Sequence, residues 1–166
     1  MHKKGHYGAA LLGYAPLATI ALAGGFDVPA VAGALVTLGL ATVPDLDMRI
    51  PGIPHRGPTH TVQFAVLIGL VTGAGGFLLA AGYGAPLALA GGLFGFATGA
   101  VAIGSHIAAD ALTPMGVEPF GANGPHYSLE VARAANPIAN YALLGIGILA
   151  AVGGGMLGTG IDAALG

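Results

Sequence analysis

The stretch 44–60, Pro-Asp-Leu-Asp-Met-Arg-Ile-Pro-Gly-Ile-Pro-His-Arg-Gly-Pro-Thr-His, carries two carboxylates, two imidazoles and two of the chain's three arginines. Only 7% of the chain is charged, and ionisable groups are costly beside hydrocarbon, so this concentration marks chemistry. His55 and His60 stand five apart across a Gly57-Pro58 bend, which can aim both rings at one point. Asp45 and Asp47 flank Leu46 and offer carboxylate oxygens from alternating positions. A second constellation is His106 with Asp110: a spacing of four puts both on one face of a helix, about one turn apart. Its surroundings are apolar, where a lone carboxylate must be paired, protonated or bound to a cation. His6 adds an imidazole at the start of the first apolar run.

With no cysteine in the chain, histidine and carboxylate are the strong metal ligands left. Oxygen ligands suit Mg²⁺ or Mn²⁺, and imidazoles suit Zn²⁺, Fe or Mn²⁺. The expected ligand set is His6, Asp45, Asp47, His55, His60, His106 and Asp110, holding one or two divalent ions, with zinc first and manganese or magnesium as alternatives. Such an ion lowers the pKa of water and polarises a scissile group. Arg56, flanked by ligands, is expected to grip an anionic substrate group, and Asp47, if free of metal, to take up a proton. Structural readings compete with these. Asp45 reads as a turn residue after Pro44, Asp47 as an ion-pair partner of Arg49, and Arg56 as a headgroup anchor. His106 and Asp110 read equally as a hydrogen bond locking a helix end. Thr59, Thr61 and Thr113 read as caps or as donors that orient ligands. Glu118 reads as a base, a ligand or a solvated charge, His126 stays open in a Gly-Pro-rich loop, and His2 is given no role.

The elements that must position these residues follow from composition. The 166 residues are 55% apolar with 31 glycines, and mean hydropathy is +0.81. Twelve charged side chains (5 Lys+Arg and 7 Asp+Glu) cannot cover a soluble surface. The fold class expected is all-α: a single domain over 1–166, a polytopic membrane bundle of about five helices. Apolar runs at about 8–24, 30–43, 61–81, 87–112 and 137–157 approach the length that crosses a hydrocarbon core of about 30 Å. Residues 1–7 are expected to be retained rather than cleaved. Pro16 is expected to kink the first span, and Pro44 to end the second. Gly91, Gly95 and Gly99 clear one helix face for close packing. The connection 113–136 is long enough to fold over a site.

Five spans place the amino terminus and the connections after spans two and four on one side. Lys3, Lys4, Arg49, Arg56 and Arg133 all lie there, whereas the other side carries Asp27 and Asp162. By the positive-inside rule that side is expected to be cytoplasmic, in a plasma (inner) membrane. There is no basic stripe, which sets nucleic acid aside, and no internal repeat of the kind that builds many transporters.

The ordered set formed by His6, Pro44-Asp45-Leu46-Asp47, His55-Arg56-Gly57-Pro58-Thr59-His60-Thr61 and Ser105-His106-x-x-x-Asp110-x-x-Thr113-Pro114-x-Gly116 resembles the YdjM-type membrane-bound metal-dependent hydrolases. The resemblance runs from His6 to about position 120. That family is grouped with zinc-dependent phospholipase C and related nucleases, which use His and Asp ligands including a His-x-x-x-Asp pair. It therefore implies metal-dependent hydrolysis of a phosphoester. Two departures stand out: Thr61 occupies a position where serine is commoner, and the tryptophan that opens the soluble relatives' mature chains has no counterpart, since the chain contains no Trp. The expected function is a membrane-embedded hydrolase acting on a phosphoester or phospholipid-like substrate, with membrane lipids as its surroundings. The alternative is a non-enzymatic metal-binding or ion-transporting membrane protein. Either way, segments far apart in sequence should meet at one point just inside the membrane surface.

Overall fold

The computed structural model describes all 166 residues, and its long elements are all helices. Its five long helices are α1 (Lys3–Ala23), α2 (Asp27–Leu40), α3 (Val62–Ala80), α4 (Ala85–Ala111) and α5 (Pro137–Leu165), with short 3₁₀ turns at Pro44–Arg49, Pro58–His60 and Ala81–Tyr83. All five spans are long and apolar enough to cross a membrane, the second counted with the 3₁₀ turn that follows it. The 19 residues of α3 cover about 28 Å at about 1.5 Å per residue, close to the thickness of a hydrocarbon core. Large apolar side chains point outward along the bundle, Leu79 at 84% and Leu149 at 74% exposure among them. Outside a bilayer this surface would be a severe aggregation liability.

Helix α1 runs on through Pro16. Two local expectations need adjustment. The α-helical part of α2 stops at Leu40, and Pro44 opens a separate 3₁₀ turn; Pro44 has no N–H to donate to the Leu40 carbonyl, which accepts from Val43 at 3.0 Å instead. Helix α5 runs on to Leu165 rather than closing near 157, because Gly158 is a packing position. A side chain there would press on the Thr19 backbone of α1 at 2.7 Å, so tertiary contact carries the helix past its glycines.

Packing is dominated by two close pairs, α1 with α5 and α3 with α4, with α1 also lying against α2 and α4. Glycine makes both approaches possible. In the first pair, Gly8 and Gly147 meet backbone to backbone. In the second, Gly91, Gly95 and Gly99 face Gly76, Thr72 and Gly69, which is the clear face expected from their spacing. The apolar core is small: Ile103 of α4 is fully buried and packs with Ala65, Ile107 and Val117. Tyr14, nearly buried within the bundle, donates its hydroxyl proton to the Ala30 carbonyl at 2.7 Å.

The up-and-down order gathers the starts of α1, α3 and α5 and the ends of α2 and α4 at one end of the bundle. The connection 112–136 folds back over that end. Leu129 and Val131 donate to the Ala111 and Leu112 carbonyls at 2.8 and 2.9 Å, satisfying the last acceptors of α4. Val117 and Tyr127 pair across the loop, and Val62 at the start of α3 donates to Pro119 at 2.8 Å.

Candidate metal centre

Each element that presents the site has a local reason to do so. Helix α3 starts at Val62 because Thr61 caps it: the Thr61 hydroxyl accepts from Phe64 N at 3.2 Å and donates to the Pro58 carbonyl at 2.8 Å. That cap fixes His60 immediately before the helix, in the 3₁₀ turn. His106 and Asp110 occupy the last two turns of α4, His6 the first turns of α1, and Asp45 the 3₁₀ turn after α2. Four separate segments therefore converge. His6, His60 and His106 are completely buried, Asp110 nearly so, and Asp45 alone keeps 21% of its side chain accessible.

The distances describe one compact cluster. His60 Nε2 lies 3.1 Å from His106 Nε2, 3.5 Å from Asp110 Oδ2 and 3.7 Å from Asp45 Oδ1. His106 Nε2 lies 3.4 Å from Asp45 Oδ1 and 3.6 Å from Asp110 Oδ2. His6 stacks on His106 with ring centroids 3.7 Å apart, and its Nε2 is 3.6 Å from Asp110 Oδ1 and 3.8 Å from Asp45 Oδ2. Two sets of potential ligand atoms, each mutually within 4.8 Å, share Asp45: His6 with Asp45, His106 and Asp110, and Asp45 with His55 and His60.

Hydrogen-bond partners fix which nitrogens carry protons. His106 Nδ1 contacts the Ala41 carbonyl at 2.7 Å; a carbonyl only accepts, so Nδ1 donates and the neutral ring turns a lone pair at Nε2 into the cluster. Thr59 donates to Asp47 Oδ2 at 2.9 Å, so its oxygen is left to accept from His60 Nδ1 at 3.0 Å. His60 therefore also turns an Nε2 lone pair inward. Two such lone pairs 3.1 Å apart repel unless a proton or a cation lies between them. Beside them, Asp110 Oδ2 is buried and has no hydrogen-bond partner. Facing imidazole lone pairs with an unpartnered carboxylate oxygen form the donor set a divalent cation requires, and the cluster is able to hold one. Burial opposes charge on His60, yet the Asp110 and Asp45 carboxylates outweigh it and hold the imidazole above its ordinary value.

His6 differs from the other two. Its Nε2 contacts the Met1 carbonyl at 2.9 Å and so donates, and its Nδ1 is buried without a partner. For His6 to serve as a ligand through Nε2, the proton must move to Nδ1. The amino group of Met1 pairs with Asp110 Oδ1.

Asp47, expected as a ligand or base, stands behind the cluster. Its buried carboxylate accepts from His55 Nδ1 at 3.0 Å, Arg56 N at 3.1 Å and Thr59 Oγ1 at 2.9 Å, and lies 3.4 Å from His60 Nδ1. It points at the outer nitrogens of two imidazoles and orients them, the arrangement usual for a partner of metal-binding histidines. It does not pair with Arg49: both lie in the Pro44–Arg49 turn, but the Asp47 carboxylate is buried against these donors while Arg49 is exposed. His55 is part-exposed, at right angles to His60 with centroids 5.3 Å apart, and keeps its Nε2 free of the Asp47 contact.

Arg56, expected to be free for an anion, is already engaged. One terminal nitrogen pairs with Asp110 Oδ1 at 2.9 Å, and the other donates to Thr113 Oγ1 at 3.1 Å and to the Gly116 carbonyl at 2.7 Å. Its backbone sits in the left-handed region, φ 62°, a cost of about 1 kcal/mol that the surrounding bonds must offset. Arg56 thus ties the central connection to the end of α4 and positions Asp110. Of the three threonines, Thr61 is a cap, Thr59 orients His60 and Asp47, and Thr113 receives Arg56. Glu118 and His126 face each other at 3.9 Å, both about half exposed and outside the cluster.

Sequence reasoning missed the supporting backbone carbonyls, Ala41 and Met1, which leave no signature in residue types. It also missed Asn140, whose polarity in an apolar helix was a usable signal. Asn140 is buried, donates to Ala134 and Asn136 carbonyls at 2.8 and 2.7 Å, and accepts from His2 N at 3.0 Å. It thereby fastens the start of α1, and with it His6, to α5.

Comparison of the chain with protein families, with curated proteins and with solved structures gives no match.

Proposed function

We propose that this protein is an integral-membrane, metal-dependent hydrolase acting on a phosphoester at the cytoplasmic face of the inner membrane. The observation that carries the reading is the pair of inward lone pairs on His60 and His106, 3.1 Å apart, beside the unpartnered Asp110 Oδ2. Zinc suits the mixed imidazole and carboxylate set best, with manganese or magnesium as alternatives. His60, His106, Asp45 and Asp110 would hold the ion, joined by His6 after its proton shift, and His55 would contribute to a second ion shared through Asp45. When bound, such an ion lowers the pKa of water toward neutrality and polarises the scissile group.

The chain's own residues have distinct tasks. Asp47 and Thr59 hold His60, and Asp47 holds His55; Arg56 fixes Asp110 and restrains the loop above it. Among the four residues that would hold the first ion, Asp45 is the one open to the outside, so a substrate reaches the cluster past it. The cytoplasmic assignment rests on the five cations, all at the same end of the bundle as the cluster. A non-enzymatic metal-binding role is supported by one observation, the near-complete burial of His6, His60, His106 and Asp110.

The deciding experiment is metal analysis of the purified protein, then a screen of phosphoester and lipid substrates with wild type, His60→Ala and Asp110→Ala. Turnover that follows metal content and vanishes in both variants supports the hydrolase. Metal retained with no turnover of any substrate supports the binding role instead.

A further inference from the structure

Outside Asp45, between the starts of α1 and α5 and the turn Pro44–Arg49, lies a cavity of about 520 Å³. Lys3, Lys4 and Arg49 line it, three of the five Lys and Arg residues in the whole chain. None of the three pairs with a carboxylate: the protein's ion pairs involve Arg56, the Met1 amino group and histidines only. Lys4 is instead held against Tyr141, bonded to its hydroxyl and 4.1 Å from its ring centroid. The single carboxylate at the cavity, Asp45, turns its oxygens toward His6, His60 and His106. The cavity is therefore cationic, and its counter-charge must come from outside the chain.

Leu46 and Met48, in the same turn as Asp45, also line the cavity and are 46% and 63% exposed. Exposed cations beside exposed aliphatic side chains match an amphiphile, not a small hydrophilic anion. The second large cavity, about 580 Å³, makes the contrast. Its one arginine is Arg56, whose terminal nitrogens are spent, and it also carries Glu118. No free cation faces it, so it does not suit an anion.

We infer that the cavity beside Asp45 binds the phosphate-bearing headgroup of an anionic lipid, held by Lys3, Lys4 and Arg49, with the hydrocarbon chain leaving over Leu46 and Met48. Arginine supplies a forked donor matched to phosphate oxygens and the lysines supply compact charge. This deepens the hydrolase reading by naming its substrate class as lipid phosphoesters, presented to the cluster past Asp45.

The test separates binding from turnover. Hexadecylphosphonate carries the anionic headgroup and chain, and its P–C bond resists hydrolysis. It is titrated into the metal-loaded protein in zwitterionic nanodiscs, beside hexadecylphosphocholine and methylphosphonate. Hexadecylphosphonate is expected to bind about tenfold or more tightly than either. The double substitution Lys3→Gln/Arg49→Gln should weaken it by about tenfold, through loss of charge-assisted bonds, with metal content and melting temperature unchanged. Both positions are exposed, so the fold is not at risk. Glu118→Gln, in the other cavity, should leave binding as it is. Equal binding of methylphosphonate, or undiminished binding by the double variant, overturns the inference. Charge-dependent binding of hexadecylphosphonate with no turnover of any phosphoester would uphold the lipid site and reject the hydrolase.

Discussion

Asp47→Asn is nearly isosteric, and its effect follows from how the amide must turn. Asp47 Oδ2 accepts from Arg56 N and Thr59 Oγ1 at 3.1 and 2.9 Å, whereas Oδ1 accepts only from His55 Nδ1 at 3.0 Å. An amide has one acceptor oxygen and one donor nitrogen. The oxygen goes where two donors wait, so the nitrogen faces His55 Nδ1 and drives that ring's proton to Nε2. His55 then has no lone pair to offer beside Asp45 and His60, while His60 stays held through Thr59. Losing an orienting partner of this kind costs about 10- to 100-fold in metal affinity. With one of the two oriented imidazoles affected, the low end is expected: about tenfold, or about 1.4 kcal/mol. Asp47→Ala removes every contact and leaves the part-buried Arg56 N–H without its acceptor, adding about 1 kcal/mol of lost folding stability. The assay is zinc titration against a competing chelator, with thermal melts in parallel. Because Asp47→Asn acts through His55, the double variant with His55→Ala should bind zinc no more weakly than His55→Ala alone. Wild-type affinity in Asp47→Asn, or losses that add in full, would refute the assigned tautomers.

The three cluster imidazoles should not be equivalent. His60→Ala and His106→Ala each remove an inward lone pair and should abolish zinc retention through purification, while His6→Ala, whose inward nitrogen donates to Met1, should leave part of it, as measured by metal content per chain. Metal and protons compete for His60, so zinc affinity should fall as pH drops, and binding should release protons measurable in weakly buffered solution. In the metal-free protein the sign is opposite. His60 is held above its ordinary value of about 6.5, so its charged form stabilises the fold below that value and the contribution fades as pH rises through the folded value; melts of chelator-treated and zinc-loaded protein across this window should diverge. Gly147→Val would drive a side chain into the Gly8 backbone, at a cost of about 1–3 kcal/mol. It should also lower zinc content, because α1 carries His6, and a stable variant with full metal occupancy would contradict the coupling of that packing seam to the site.

The sequence by itself determined the class of fold and the kinds of ligand. Hydropathy is a property of each run of residues, and a run of apolar side chains must bury its backbone in a helix wherever it meets lipid, so five helices were legible before any contact was known. The spacing of His106 and Asp110 is likewise local, since one helical turn aligns them whatever surrounds the helix. The restriction of the cations to alternate connections needs only the order of the spans. Tertiary structure alone decided the rest. Helix α5 outlasts its glycines because Gly158 packs on Thr19 of another helix. Asp47 and Asp45 are two residues apart, yet one orients histidines from behind and the other faces the cluster, because the 3₁₀ turn points them to opposite sides. Arg56 reads as an anion grip until the loop after α4 folds back and takes its guanidinium. The proton positions on His106 and His6 depend on the carbonyls of Ala41 and Met1, which every residue type possesses. A backbone acceptor has no sequence signature, so only its place in space shows which nitrogen it claims.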